Sequence, residues 1–585
     1  MTEIWNLEDI LGGKKPDEII EDIKEKVEIF KSYRKKLTPY LSPNILKEIV
    51  VLGEYIDRWS DRVDAYYYMK FCENTKDSNA LAKMTYLSQL FSELENETMF
   101  FSLWFMKLSK KDAKKYFNSE TLSEYKYYLQ EIRKLKKHTM SEKIEKILSI
   151  KSVTGGGAFS SIYDSIVSSF EFSINGEKDI TQDDLLKYVH SEKSALRKKA
   201  YELLLSKFKE NSTVLNEIYK NIVLNWDNES LKIRGYKKPI SVRNVGNDIP
   251  DTVVETLLKV VRKNSEIFSE YFKFKHDLNK KLGAKYDFSR YHLYAPLNIK
   301  SKKKYDFNSS LKLVLDTYKK FDSRFYEAAK KIVDEKHIHS HPKTCKKGGA
   351  FCFGVDNKLT PYIFLNHTDQ VRGLFTMMHE FGHGIHDVFA QKQVNLLCNI
   401  PLPIAETASI FGEMILSSRL LLDSKDNDEK SEILVDLLDN QFASITRQSY
   451  FVLFEKFAHE KIAGGATKEK LDEEYKLLLK EQFGNMKMPD IFKHEWNYVP
   501  HIHNSPFYCY AYSWGNLSVL SLYAIYKKEG KPFLDKYINI LSAGGSKSPA
   551  DLLATVGINP SKEEFWQGGF DIIKEEIEEL KKLNS

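Results

Sequence analysis

The chain has 585 residues, 42% of them hydrophobic and 29% charged, and a formal charge of +6. This is the composition of a soluble globular enzyme with room for a large core and more than one domain. The net charge is small, and lysine clusters such as Lys110-Lys111 are broken by acids or aromatics, so a nucleic-acid partner has no support.

Taken in order, the first thirty residues mix acids with bases and lack the apolar stretch of a secretory signal. The apolar run Met99–Met106 is too short to span a bilayer. The five cysteines, Cys72, Cys345, Cys352, Cys398 and Cys509, form no paired framework and suit a reducing compartment. A cytoplasmic protein with no membrane partner is therefore expected. Apolar residues at three- and four-residue spacing predict helices over 17–36, 43–72, 77–108, 119–137 and 141–149.

Gly155-Gly156-Gly157 lacks the following Gly-Lys-Ser/Thr of a phosphate loop and reads as a turn. Alternation around Asn175-Gly176 predicts a hairpin over 170–180, and Thr181 caps a further helical series to about 235. Pro239 and Pro250 bound a predicted loop before helices resume at 251–282. Tyr286–Pro296 and Gly348–Phe364 are short, aromatic and punctuated by Gly and Pro, which predicts a small β-sheet. Gly348 and Gly349 weaken a strand; they suit a tight bend there, or an edge that a peptide backbone approaches closely.

Thr376–His386 carries His379-Glu380-Phe-Gly-His383. Four-residue spacing on a helix puts both imidazoles on one face, where two ring nitrogens can reach a single zinc ion. Glu380 then lies beside the metal, placed to take a proton from water. His386 is about 10 Å from His379 along a regular helix, too far to share the ion, and reads as a neighbour of the site. A second helix follows Pro401 and Pro403, with Glu406 and Glu413 seven apart on an otherwise apolar or small face. Carboxylates are costly there unless they meet a charge. Glu406 reads as the third ligand and Glu413 as a partner for the free nitrogen of His379 or His383, with the reverse assignment also open.

Downstream, His501, His503, Tyr508, Tyr510 and Tyr512 precede an apolar helix. Tyr508 and Tyr512 share a face, and phenol and imidazole donors suit an oxyanion; an aromatic helix with its hydroxyls at the surface gives the same pattern. At the C-terminus, Ser561-Lys-Glu-Glu564 predicts a capping box for a closing helix with the apolar stripe Phe565, Trp566, Phe570, Ile573, Ile577 and Leu580.

Three of these stretches resemble, in the right order, the M3 family of zinc oligopeptidases, oligoendopeptidase F branch: His379–His386, Glu406–Glu413, and Val499-Pro-His501-Ile with Phe507–Tyr512. Weaker agreements lie in Lys347–Phe351 and Leu541–Pro549. The resemblance implies a mainly α, two-lobed, clam-like peptidase with a deep substrate channel and a small β-sheet near the active site. It implies a helical N-terminal region over 1–190 and a catalytic region over 191–585. It also implies one Zn²⁺ per chain on His379, His383 and Glu406, with Glu380 as the base. His501 would be the transition-state histidine and one or more of Tyr508, Tyr510 and Tyr512 the oxyanion donors, with Glu413, His386 and Gly349 around the site or the substrate. Relatives tend to carry a tyrosine after the asparagine that is Asn366 here; His367 takes that place and is not assigned to the metal. The expected activity is hydrolysis of internal bonds in short unstructured peptides. A zinc carboxypeptidase or dipeptidyl carboxypeptidase on the same architecture is the alternative, and a non-catalytic peptide-binding scaffold a third reading.

Overall fold

The helical spacing of the sequence becomes helix through most of the chain in the computed structural model, which describes residues 4–299 and 303–585. Two small sheets and one isolated bridge, Ser289 with Lys487, are the only β-pairing among the described residues. The chain divides into two compact units, each of three segments: Met1–Lys146, Lys303–Arg419 and Lys528–Gly557 in the first, Ile147–Lys302, Leu420–Lys527 and Ile558–Ser585 in the second. The sequence reading divides the chain once, at 190/191, whereas these units are interleaved along it.

In the first unit, Pro16 and Pro43 open helices Pro16–Ser32 and Pro43–Glu73, at the position where a missing N–H costs nothing. Ile19, Ile23, Val27 and Phe30 join Leu46, Ile49, Val50, Phe100 and Phe105 in one buried cluster. The predicted 77–108 helix breaks at Met99 into Ser78–Thr98 and Phe100–Lys107. A three-stranded sheet comprises Ile338–His339, Phe351–Phe353 and Tyr362–Phe364. The Tyr362–Phe364 strand is central, parallel to the first and antiparallel to Phe351–Phe353, which is left as an edge. Beside this sheet runs the helix Val371–Ala390, which buries Leu374, Met377, Met378, Phe381 and Ile385.

In the second unit, Asn175 (φ 55°) and Gly176 (φ 87°) turn a hairpin of Phe172–Ile174 and Glu177–Ile180, as their sequence predicts. The core is helical, with Trp514 and Trp566 packed edge to face at 4.9 Å. Buried Arg290 donates to Glu495 at 2.8 Å, and Arg447 and Tyr475 share the same carboxylate group.

Three local expectations are corrected. Tyr286–Pro296 forms no strand; it turns through a short 3-10 helix, Arg290–His292, because Arg290 is committed to the buried ion pair instead of to an alternating sheet face. The loop bounded by Pro239 and Pro250 contains a helix, Pro239–Gly246, with Pro239 at its first turn. The closing helix, Glu563–Leu583, has Lys562 at its N-cap and no side-chain cap, since Ser561 is held in the preceding turn by its N–H to Asn559 Oδ1.

Candidate metal centre

The Val371–Ala390 helix projects His379 and His383 from one face, as four-residue spacing requires. Glu406 comes from a break between a single turn, Leu402–Ala405, and the helix Thr407–Asp423. It therefore immediately precedes the second helix. Gly382 makes this convergence sterically feasible: a Cβ there would lie 2.4 Å from Ser409 Cα and 2.6 Å from Ala408 O, so any side chain would drive the two helices apart.

His379 Nε2 and His383 Nε2 are 3.1 Å apart, and Glu406 Oε2 lies 3.3 and 3.5 Å from them. Three ligands at 2.0–2.2 Å from a tetrahedral ion stand roughly 3.3–3.6 Å from one another. The two separations to Glu406 fall in that range and the His379–His383 separation is 0.2 Å short of it, and two imidazoles with one carboxylate are a donor set that suits zinc. Glu413 Oε1 accepts from His379 Nδ1 at 2.5 Å, which fixes the ring so that Nε2 faces the other two ligands. Ser409 Oγ donates to Glu406 Oε2 at 2.6 Å and orients that carboxylate.

The electrostatics are those of a crowded, poorly solvated acid–imidazole cluster. Burial pushes the His379 ring down, but the carboxylates of Glu413, Glu406 and Glu380 together outweigh it, Glu413 foremost, and hold the pKa up at about 10. Burial and neighbouring His379 push His383 down to about 4. Burial raises Glu380 to about 7, against the pull of His379 and of the Cys352 N–H. His386 is fully buried and outside the convergent set. His367 is likewise outside it, bonded to Tyr305 O at 2.9 Å. Gly349 has φ 82° in the loop before the edge strand, where Asn366 Nδ2 donates to its carbonyl at 2.7 Å.

A cavity of about 610 Å³ opens beside this cluster, within the first unit. Phe351–Gly354, His379, Glu380, His383 and Asp387 line it. The sequence reading passes over Asp387, although its place four residues after His383 puts it on the same helical face. Burial pushes its carboxyl up to about 7.

The second unit assembles the other candidate residues. His501 Nε2 lies 3.2 Å from Tyr512 Oη, and the His501 and Tyr508 rings stack at 5.6 Å. Tyr510 points elsewhere, its hydroxyl accepting from Asn247 Nδ2 at 2.8 Å. The turn that presents these rings is strained. Buried Phe507 has φ 59°, a left-handed conformation unfavourable for a bulky side chain. Glu455, fully buried on the helix Arg447–Ile462, accepts the Phe507 N–H at 2.7 Å, and Arg243 Nε donates to Pro506 O at 3.2 Å. Burial pushes Glu455 up to about 8, only partly offset by that N–H. No local pattern marks Glu455, Arg243 or Asn247 as supports of a segment so distant in sequence.

A helical protein with two histidines one turn apart, an adjacent glutamate and a convergent third acid belongs to a recognisable class, the metallopeptidases. The comparisons agree. A sequence model of peptidase family M3 matches residues 187–572, and one described as Oligopeptidase F matches residues 104–172. The chain belongs to peptidase family M3 and is a metallopeptidase. It is 29% identical to an oligoendopeptidase F homolog of Borreliella burgdorferi over 96% of this chain and 95% of that one. It is 25% identical to oligopeptidase PepF of Bacillus subtilis, covering 99% and 87%. A solved structure from Chlamydophila abortus shares the fold with a TM-score of 0.85 at 24% identity, covering 99% of this chain and 98% of that one. The oligoendopeptidase F of Enterococcus faecium does so with 0.73 at 20% identity, covering 97% and 99%.

Proposed function

We propose that the protein is a zinc-dependent oligoendopeptidase that cuts internal bonds of short unstructured peptides in the cytoplasm. The observation that carries this reading is the convergence of His379, His383 and Glu406, with Glu413 bonded to the far nitrogen of His379. Zinc held by the three would polarise the scissile carbonyl and acidify a water to a pKa of about 7. Glu380 takes the proton of the attacking water and passes it to the leaving amine, a role suited to a carboxyl whose pKa burial has raised to about 7. The edge strand Phe351–Phe353 lines the cavity, where an extended peptide would lie alongside it. On the resemblance of their segment to the family, we assign the role of oxyanion donors to His501, Tyr508 and Tyr512. The reading is further supported by the oligoendopeptidase F relatives, and its cytoplasmic part by five cysteines that are all free.

The test is Glu380→Gln together with metal analysis and an internally quenched peptide blocked at both ends. Wild-type protein is expected to contain one zinc per chain and to cut the blocked peptide, which a carboxypeptidase or dipeptidyl carboxypeptidase cannot do. The variant is expected to keep its zinc and lose nearly all turnover; near-normal cleavage by it would refute the assignment of the base.

A further inference from the structure

The cavity beside the three convergent ligands is lined by three carboxylates, Asp356, Glu380 and Asp387, and among the described residues no lysine or arginine lines it. Two of the three acids are accounted for. Asp356 is buried and receives Arg62 Nε at 2.6 Å, and Glu380 is the proposed base. Among the described residues Asp387 has no cationic partner: the Cys352 thiol, 3.9 Å from Oδ2, is the hydrogen-bond donor it meets. A thiol is a weak donor, and burial holds Cys352 in that neutral form. Gly354 packs directly against this carboxylate: a Cβ there would lie 2.7 Å from Asp387 Oδ2, so a side chain would have to push the carboxylate aside. Asp387 sits one helical turn past His383, roughly 6 Å along the axis, a span of about two residues of an extended peptide.

A carboxylate in a partly desolvated cavity with no protein cation is costly until a ligand supplies the charge. We propose that Asp387 is a specificity subsite for a basic side chain, so that preferred substrates carry lysine or arginine within two residues of the bond that is cut. This rests on the peptidase reading above and adds the substrate class to it. The cation comes from a side chain, since an internal cut leaves the peptide's amino terminus at no fixed distance from the site.

The test compares internally quenched peptides, acetylated and amidated, that differ only in lysine, norleucine or glutamate at the two positions on each side of the cut. For the wild-type protein, kcat/KM for the best lysine peptide is expected to exceed that of its norleucine match by about tenfold to a hundredfold. Asp387→Asn should bring the ratio close to one, and Asp387→Lys should turn it in favour of glutamate. A wild-type ratio near one, or a ratio that persists in both variants, overturns the proposal and leaves the peptidase reading standing. A lysine preference confined to peptides with a free amino terminus also overturns it. If zinc-loaded protein cuts none of the peptides, the peptidase reading fails, and binding to Glu380→Gln protein decides the subsite. A lower Kd for lysine than for norleucine supports it, and equal Kd values overturn it.

Discussion

The two stretches to which we assign the chemistry are held in different ways. The His379–His383 pair needs only the regularity of one helix, and its support, Glu413, lies on the next long helix in sequence, Thr407–Asp423. The His501–Tyr512 segment is short, irregular and strained at Phe507, and is pinned by residues up to 263 positions away. A metal cluster built on helical periodicity tolerates no displacement of a ligand, whereas a turn of aromatic donors depends on the side chains behind it. The first should fail all at once, the second by degrees.

The largest effect expected is at the ligands. His383→Ala should abolish both zinc retention and turnover, read by metal analysis after dialysis; a variant that still holds one zinc would break the comparison. Next is Tyr512→Phe, which should lower kcat by about a hundredfold with KM and zinc content nearly unchanged, the cost of losing one oxyanion donor. An effect confined to KM would move the tyrosine to substrate binding. Glu413→Gln should weaken zinc affinity by about ten- to a hundredfold in competition with a chelator, because His379 loses the carboxylate that fixes its ring.

Glu455→Asp withdraws the acceptor from the Phe507 N–H and should lower kcat by about tenfold at constant zinc content, while Glu455→Gln, which keeps an acceptor in place, should restore most of it. A loss of zinc in Glu455→Asp would erase the distinction between the two stretches. The smallest effect is a control outside both. Glu576 is buried, accepts from Gln441 Nε2 at 2.8 Å, and is pushed up to about 8 by burial. Among the described residues Gln441 Oε1 has no hydrogen-bond partner, which suits a neutral carboxyl able to donate to it. Its folded pKa lies above its unfolded one, so the stability it contributes is complete below about pH 4.5 and is lost as pH rises to about 8. Glu576→Gln should therefore flatten the decline of Tm between pH 5 and pH 8 and leave zinc content unaltered.

Much of the fold was legible because helical period is a local property: backbone hydrogen bonds set it, and the apolar spacing of segments such as 43–72 reports it directly. The breaks were less legible. Met99 interrupts a continuous apolar pattern, and Arg290 leaves its predicted strand for an acid 205 positions away. Local pattern carries no record of such partners.

The same division runs through the metal centre. Sequence alone determined that His379 and His383 occupy one face of a helix with Glu380 beside them, and that Glu406 and Glu413 follow on another with an acid's need for a charge. Only the tertiary structure decided which carboxylate meets which nitrogen, that Gly382 is the close-contact point between the helices, and that Asp387 faces a cavity without a cation. Spacing along a helix is fixed by one backbone's own hydrogen bonds, but the meeting of two helices is settled by the surfaces that pack between them.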